Sequence, residues 1–146
     1  MESHLLDANA IVRFLTNDDP IQSPAAYDLF EKAVEGKYHL ILIPLIVTEC
    51  CWVLQSKRYG FSKTEIAEKM SQIVSANGIK TVDKESVLKA LYGYSTYNVD
   101  FVDAYLAAIS LTEEYGPLIT WNVKDFKRLG AEFYTPEQIV HSSETE

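Results

Sequence analysis

Tyr38-His39-Leu40-Ile41-Leu42-Ile43, followed at once by Pro44-Leu45-Ile46-Val47-Thr48-Glu49, is the stretch that decides the fold. Its first six residues form a continuous apolar run with no polar alternation, the pattern of a strand covered on both faces in a parallel sheet. Pro44 then stands where a helix begins, a position that has no use for the N–H proline lacks. That helix is expected to reach about Arg58. A buried strand running directly into a helix is half of a crossover unit, so an α/β chain is the first expectation.

The flanking sequence repeats this alternation. Upstream, His4-Leu5-Leu6 is a short apolar run ending on Asp7, and Ala8 to Leu15 reads as a helix with Ile11, Phe14 and Leu15 on one face. Thr16 to Pro20 is a polar break. Ser23 and Pro24 read as the N-cap and first position of a helix running toward Gly36. Downstream, Ser62-Lys63-Thr64-Glu65 is a capping box for a helix to about Ala76. Asn77-Gly78 is a turn into a strand over 79–82, and Asp83 caps a helix through Tyr94. A helix is expected from Phe101 to Tyr115, closed by Gly116-Pro117. Leu118 to Thr120 and Glu132 to Tyr134 read as strands on either side of a short helix, Val123 to Leu129. Strands this far apart need crossovers. The expectation is therefore one three-layer α/β domain over residues 1–140. Its mainly parallel central sheet has four or five strands with helices on both faces, and a disordered polar tail occupies 141–146.

Composition narrows the function. The 146 residues are 47% hydrophobic and 23% charged, ordinary for a globular domain. Thirteen Lys and Arg against twenty-one Asp and Glu give a net charge of −8, which argues against gripping nucleic acid by bulk charge. A nucleic acid held locally, by a metal and a few lysines, remains compatible with that balance. Cys50 and Cys51 are adjacent and give neither a disulfide framework nor zinc spacing. No basic segment leads into an apolar one at the start, and the apolar run 40–47 is broken by Pro44 and falls short of the ~20 residues of a membrane span. The expected setting is the reducing cytosol, with no membrane.

A few acids occupy informative places. Asp7 directly follows an apolar strand; Glu49 lies among Val47, Cys50, Cys51, Trp52 and Val53; Asp100 and Asp103 share a face at the start of a helix; Asn122 and Asp125 follow a strand. Residues just beyond the carboxyl ends of parallel strands lie on one edge, where open α/β folds hold ligands. Two like charges about 4 Å apart repel by roughly 4 kcal/mol at an effective dielectric near ~20. A carboxylate cluster without embedded lysine or arginine therefore calls for a cation, and all-oxygen ligands favour Mg²⁺ or Mn²⁺ over Zn²⁺. Plainer readings stand beside this one. Asp7, Asp100 and Asp103 fit helix caps, Asn122 and Asp125 fit turn residues, and Glu49 fits a surface position.

At these residues the chain resembles a PIN domain, specifically the VapC-type toxins of bacterial toxin–antitoxin pairs. The opening from Leu5 through Asp7-Ala8-Asn9 to Pro20 is similar to the family's strand–Asp–x–Asn–helix start. Ile43 to Leu54 resembles its second block, with Glu49 at the acidic position. In the third, Asp100-Phe101-Val102-Asp103-Ala104-Tyr105-Leu106-Ala107-Ala108, the acid preceding Ala-x-x-Ala is Asp103. Thr120-Trp121-Asn122-Val123-Lys124-Asp125-Phe126 resembles the fourth. Ala8 stands where the family usually carries Thr or Ser, and Asn122 where many members carry Asp.

The resemblance implies a Mg²⁺- or Mn²⁺-dependent endoribonuclease, a homodimer held in check by a cognate antitoxin protein. It makes Asp7, Glu49, Asp103 and Asp125 the catalytic and metal-binding residues, with Asn9, Asp100, Thr120 and Asn122 in support. Lys124, Lys127 and Arg128, bunched beside Asp125, are candidates to hold substrate phosphates, or else an exposed basic helix face. His4, His39 and His141 form no nucleophile arrangement. A haloacid-dehalogenase-type phosphohydrolase also begins with an Asp after its first strand. That chemistry wants a second Asp two residues on, where this chain has Asn9. The remaining alternative is a non-catalytic PIN-like module that binds RNA or a protein without cutting.

Overall fold

The computed structural model describes residues 1–145. From the amino end the elements are β1 (Ser3–Leu5), α1 (Ala8–Thr16), α2 (Gln22–Val34), β2 (His39–Leu42), α3 (Pro44–Gln55), α4 (Lys63–Ser75) and β3 (Ile79–Thr81). They continue with α5 (Lys84–Thr96), α6 (Phe101–Ile109), β4 (Leu118–Ile119), α7 (Val123–Arg128), β5 (Phe133–Tyr134) and α8 (Pro136–Thr145). The chain divides into two compact units, Met1–Leu88 and Lys89–Glu146, with the boundary inside α5.

In the first unit the strand order is β1-β2-β3, all parallel, with Leu5 opposite Ile41 and Leu42 opposite Thr81. The apolar run 38–43 is the central strand, and Leu40 and Leu42 are fully buried. β1 is an exposed edge, and only Leu6 beyond it is buried, so cover on both faces holds at the centre and not at the rim. Helix α1 buries Ala8, Ile11 and Val12, one stripe at helical spacing. Phe14 extends that contact to α2, its ring 4.7 Å from that of Phe30 and 6.2 Å from that of Tyr27. The close approach of the 77–78 turn to α2 demands glycine: Gly78 has φ +85, and a Cβ there would overlap the Ala33 carbonyl.

The start of α2 differs from expectation for a local reason, and α3 ends at Gln55 rather than about Arg58. Helix α2 starts at Gln22, and Asp19, not Ser23, supplies its cap: Asp19 Oδ1 accepts from Gln22 N at 2.7 Å and Ile21 N at 2.9 Å. Ser23 is buried and donates to the Arg13 carbonyl at 2.8 Å. The capping box before α4 forms as expected, with Glu65 N donating to Ser62 Oγ and Ser62 N to Glu65 Oε1.

In the second unit β4 and β5 pair in parallel, Leu118 opposite Phe133, with α7 as the crossover. All five expected strands are present, but they do not form one sheet of four or five. Three belong to one sheet, and β4 and β5 hydrogen-bond to each other in a second. Alternation and apolar runs mark a segment as a strand, while the choice of neighbour is made by tertiary packing, which they do not encode. Helix α6 stops at Ile109 rather than Tyr115. Buried Ser110 donates from its hydroxyl to Ala107 O at 2.7 Å and accepts from Glu132 N at 3.1 Å, so the same residue ends the helix and anchors the chain entering β5. Helix α8 occupies the region expected as a polar tail from His141 as far as Thr145. Residue 146 lies outside the described residues.

Candidate active site

In the first unit the candidate acids sit on a strand end and a helix. Asp7 follows β1 as the N-cap of α1, exposed, its Oδ1 accepting from Ala8 N at 2.8 Å. Glu49 is exposed on α3. Both carboxylates act on the same buried atom. Burial pushes the Cys50 thiol up, and the neighbouring Cys51 and the charges of Glu49 and Asp7 push it further. A buried thiol pushed up in this way is a poor nucleophile.

Helices α1 and α3 pack together and leave an open cleft of about 410 Å³. Asn9 and Arg13 line it from α1, and Glu49 and Trp52 from α3. Arg13, Arg58 and Tyr59 of its lining belong to a hydrogen-bonded hub. Asp18 accepts from Tyr59 Oη at 2.7 Å, Thr16 Oγ1 at 2.8 Å, Arg13 Nη1 at 3.1 Å and Arg58 Nη2 at 3.2 Å. The Tyr59 hydroxyl above all, then that of Thr16, and with them the charge of Arg13, hold the Asp18 carboxyl down to about 2. Sequence reasoning passed over this hub, taking 16–20 as a polar break; only the pairing of Asn17-Asp18-Asp19 with Arg13 near by in sequence hinted at it.

The second unit presents Asp103 in the first turn of α6, half-buried, with Asp100 at the N-cap making no side-chain capping bond. Burial raises the pKa of Asp103, and the charges of Asp100 and Asp125 raise it further. Asp125 is treated oppositely. Asn122 Nδ2 donates to its Oδ2 at 3.1 Å and Arg128 Nη2 to its Oδ1 at 3.1 Å, and these bonds lower its pKa. Asn122 also caps α7, accepting from Asp125 N, while Thr120 Oγ1 accepts from Asn122 N at 3.0 Å. Thr120, Asn122 and Asp125 thus form one ordered turn. Lys124 and Lys127 are exposed, but Arg128, read as a phosphate ligand, is engaged with Asp125.

Among the described residues, no group of three or more His, Cys, Asp or Glu is arranged to hold a metal ion. The donor chemistry within each unit still suits a hard cation. All candidate ligands are carboxylates, and among the described residues Asp7, Glu49 and Asp103 form no ion pair with lysine or arginine. The histidines stand apart from any such role: His4 bonds Glu2 at 2.8 Å and lies edge-on to Tyr38. No helix is long and apolar enough to cross a membrane among the described residues.

The family model described as PIN domain matches residues 4–132, a span that includes Asp7, Glu49, Asp103 and Asp125. No curated protein matches the chain.

Proposed function

The chain belongs to the PIN-domain family, whose members are generally nucleases, and from that premise we propose that it is a metal-dependent endoribonuclease of the VapC toxin type. The observation that carries this reading is the contrast among its acids. Asp7, Glu49 and Asp103 lack a cationic partner among the described residues, and Asp103 is pushed toward its neutral form by burial first and then by the charges of Asp100 and Asp125. Acids left in that condition gain most from a divalent cation.

In this proposal Asp7 and Glu49 in the first unit, and Asp103 and Asp125 in the second, are the Mg²⁺ or Mn²⁺ ligands. When bound, such an ion lowers the pKa of water, polarises a phosphodiester and stabilises the leaving oxygen. Glu49, free on the α3 surface, orients the attacking water. Asn9 supports Asp7 from the first turn of α1, and Asp100, Thr120 and Asn122 support the acids of the second unit. Lys124 and Lys127 hold substrate phosphates. Arg128 is assigned to Asp125 instead.

The partners of this reading are RNA, a cognate antitoxin and a second copy of the chain. The apolar side chains of Ile21, Tyr27 and Leu45, exposed on and beside α2 and α3, support a protein partner. Cys50 and Cys51, both buried, fit a reducing, cytosolic setting. A non-catalytic PIN-like module is the alternative, favoured by Ala8 and Asn122 at positions where the family usually has Thr or Ser and often Asp. Incubating the purified protein with structured RNA and Mn²⁺ decides between them. Cleavage abolished by EDTA and by Asp7→Asn supports the nuclease; binding without cleavage supports the module, and cleavage surviving Asp7→Asn contradicts the assignment.

A further inference from the structure

We propose that the cleft between α1 and α3 is a subsite for one unpaired nucleobase of RNA, with the Trp52 indole as its stacking platform and Arg58 as its phosphate contact. The proposal rests on the reading of RNA as substrate, and it adds where a base is held next to the scissile region.

The cleft is built by helical spacing. Glu49, Trp52, Val53 and Ser56 fall at i, i+3, i+4 and i+7 along and just beyond α3, facing Asn9 and Arg13 from α1. Trp52 is 60% exposed, so a large flat π-face stands in water at the wall of an open slot. Every base has a π-face, and stacking on an aromatic side chain is the usual way a protein holds one without reading it.

The two ends of the slot differ in charge. Arg13 and Arg58 both pair with Asp18, and the charge of Asp19 also acts on Arg13, so the exposed Arg58 is the cation that end presents, while Glu49 marks the other. An exposed guanidinium suits the phosphate attached to a stacked base. Arg58 is placed for that contact. Its guanidinium lies 5.1 Å from the centre of the Tyr59 ring, donates once to Asp18, and makes no other protein hydrogen bond among the described residues. Four of its five N–H donors are therefore available to a ligand.

The hub around Asp18 fixes Arg13 and Tyr59 before any ligand arrives, so little ordering accompanies binding. A partner helix would need a row of apolar pockets along a groove. This cleft carries Glu49 and Arg58 in its lining beside the exposed Trp52 indole, the mix of charge and π-face that a nucleotide uses.

The test uses the full chain carrying Trp121→Phe, in which Trp52 is the remaining tryptophan. Hexauridylate is titrated in EDTA while Trp52 emission and the anisotropy of labelled RNA are followed. The expected result is saturable quenching, with affinity reduced about tenfold by Trp52→Ala and partly restored by Trp52→Phe. A hexamer lacking bases should bind weakly and leave the emission unchanged. Arg58→Gln should flatten the dependence of log affinity on log salt by about 0.7, one phosphate on a single strand. Absence of RNA binding, equal binding of the base-free hexamer, or saturation without quenching would each overturn the proposal. Emission that follows protein concentration and ignores RNA would assign the cleft to contact between copies, and would overturn it too. Quenching without any cleavage in Mn²⁺ removes the nuclease reading and leaves the subsite; cleavage without quenching removes the subsite and leaves the nuclease.

Discussion

Asp18 and Asp103 are both aspartates beside helix termini, and the protein treats them in opposite ways. Asp18 accepts from two guanidiniums and two hydroxyls, and its carboxyl is held down to about 2. Asp103 is half-buried, has no ion-pair partner among the described residues, and is pushed up by burial and by Asp100 and Asp125. A carboxylate surrounded by donors is complete and serves architecture, here by tying the α1 end to Arg58 and Tyr59. A carboxylate left among its own kind is incomplete and has most to gain from an external cation. Asp125 lies between these cases, since Arg128 and Asn122 satisfy it in part.

The comparison breaks most visibly on activity. Asp103→Asn and Asp7→Asn are each expected to lower RNA cleavage about 100-fold or more, the scale seen when a charge-stabilising group is removed from an active site. Asp103→Asn should leave the melting temperature of the metal-free protein unchanged or slightly higher, because it removes repulsion. A large loss of stability in that variant would make Asp103 structural, like Asp18.

Asp18→Asn should do the reverse, lowering the melting temperature by a few degrees and leaving metal binding intact. Because folding depresses the Asp18 pKa, its contribution is fully present above the unfolded value of about 4 and is lost as pH falls toward the folded value of about 2. Thermal melts from pH 5 to pH 2 should show that decline in the wild type and a shallower one in the variant.

Asp103 has the opposite sign. Its folded pKa is raised, so the metal-free protein loses stability as pH climbs from the ordinary carboxylate value through the raised one. Mn²⁺ favours the ionised form, so the stabilisation it adds should grow with pH over the same window. Melts with and without Mn²⁺ across that range check it. The smallest effect is expected from Arg128→Gln, which removes one of the two side-chain donors to Asp125 and should tighten Mn²⁺ binding by up to about fivefold, the value of one exposed ion pair.

What was legible in the chain is what depends on neighbours in sequence. The apolar run ending at Pro44 marked the central strand and the start of α3, and Ser62 with Glu65 closed their capping box as read. Ser23 misled because its hydroxyl is committed to the Arg13 carbonyl, a contact made by tertiary packing, which left the cap to Asp19. Ser110 ended α6 early for the same kind of reason, through a bond to the chain entering β5. Partnership between β4 and β5 was likewise invisible to patterning.

The candidate acids stood out because motif spacing and strand ends single out Asp7, Glu49, Asp103 and Asp125. Their differing electrostatic states did not. The Asp18–Tyr59 bond joins residues 41 positions apart, and nothing local announces it. The Asp125–Arg128 pair does have a local signal, the i,i+3 spacing, although the bunching of Arg128 with Lys124 and Lys127 points instead to phosphate ligands or an exposed basic face.

Calorimetric titration of Mn²⁺ into the wild type, Asp103→Asn and Asp18→Asn reads cation binding apart from catalysis. The wild type is expected to bind, Asp103→Asn to bind about tenfold more weakly or worse, and Asp18→Asn to keep wild-type affinity. A wild type that takes up no Mn²⁺, or an Asp103→Asn variant that binds it as well as the wild type, would contradict the assignment of Asp103 as a cation ligand.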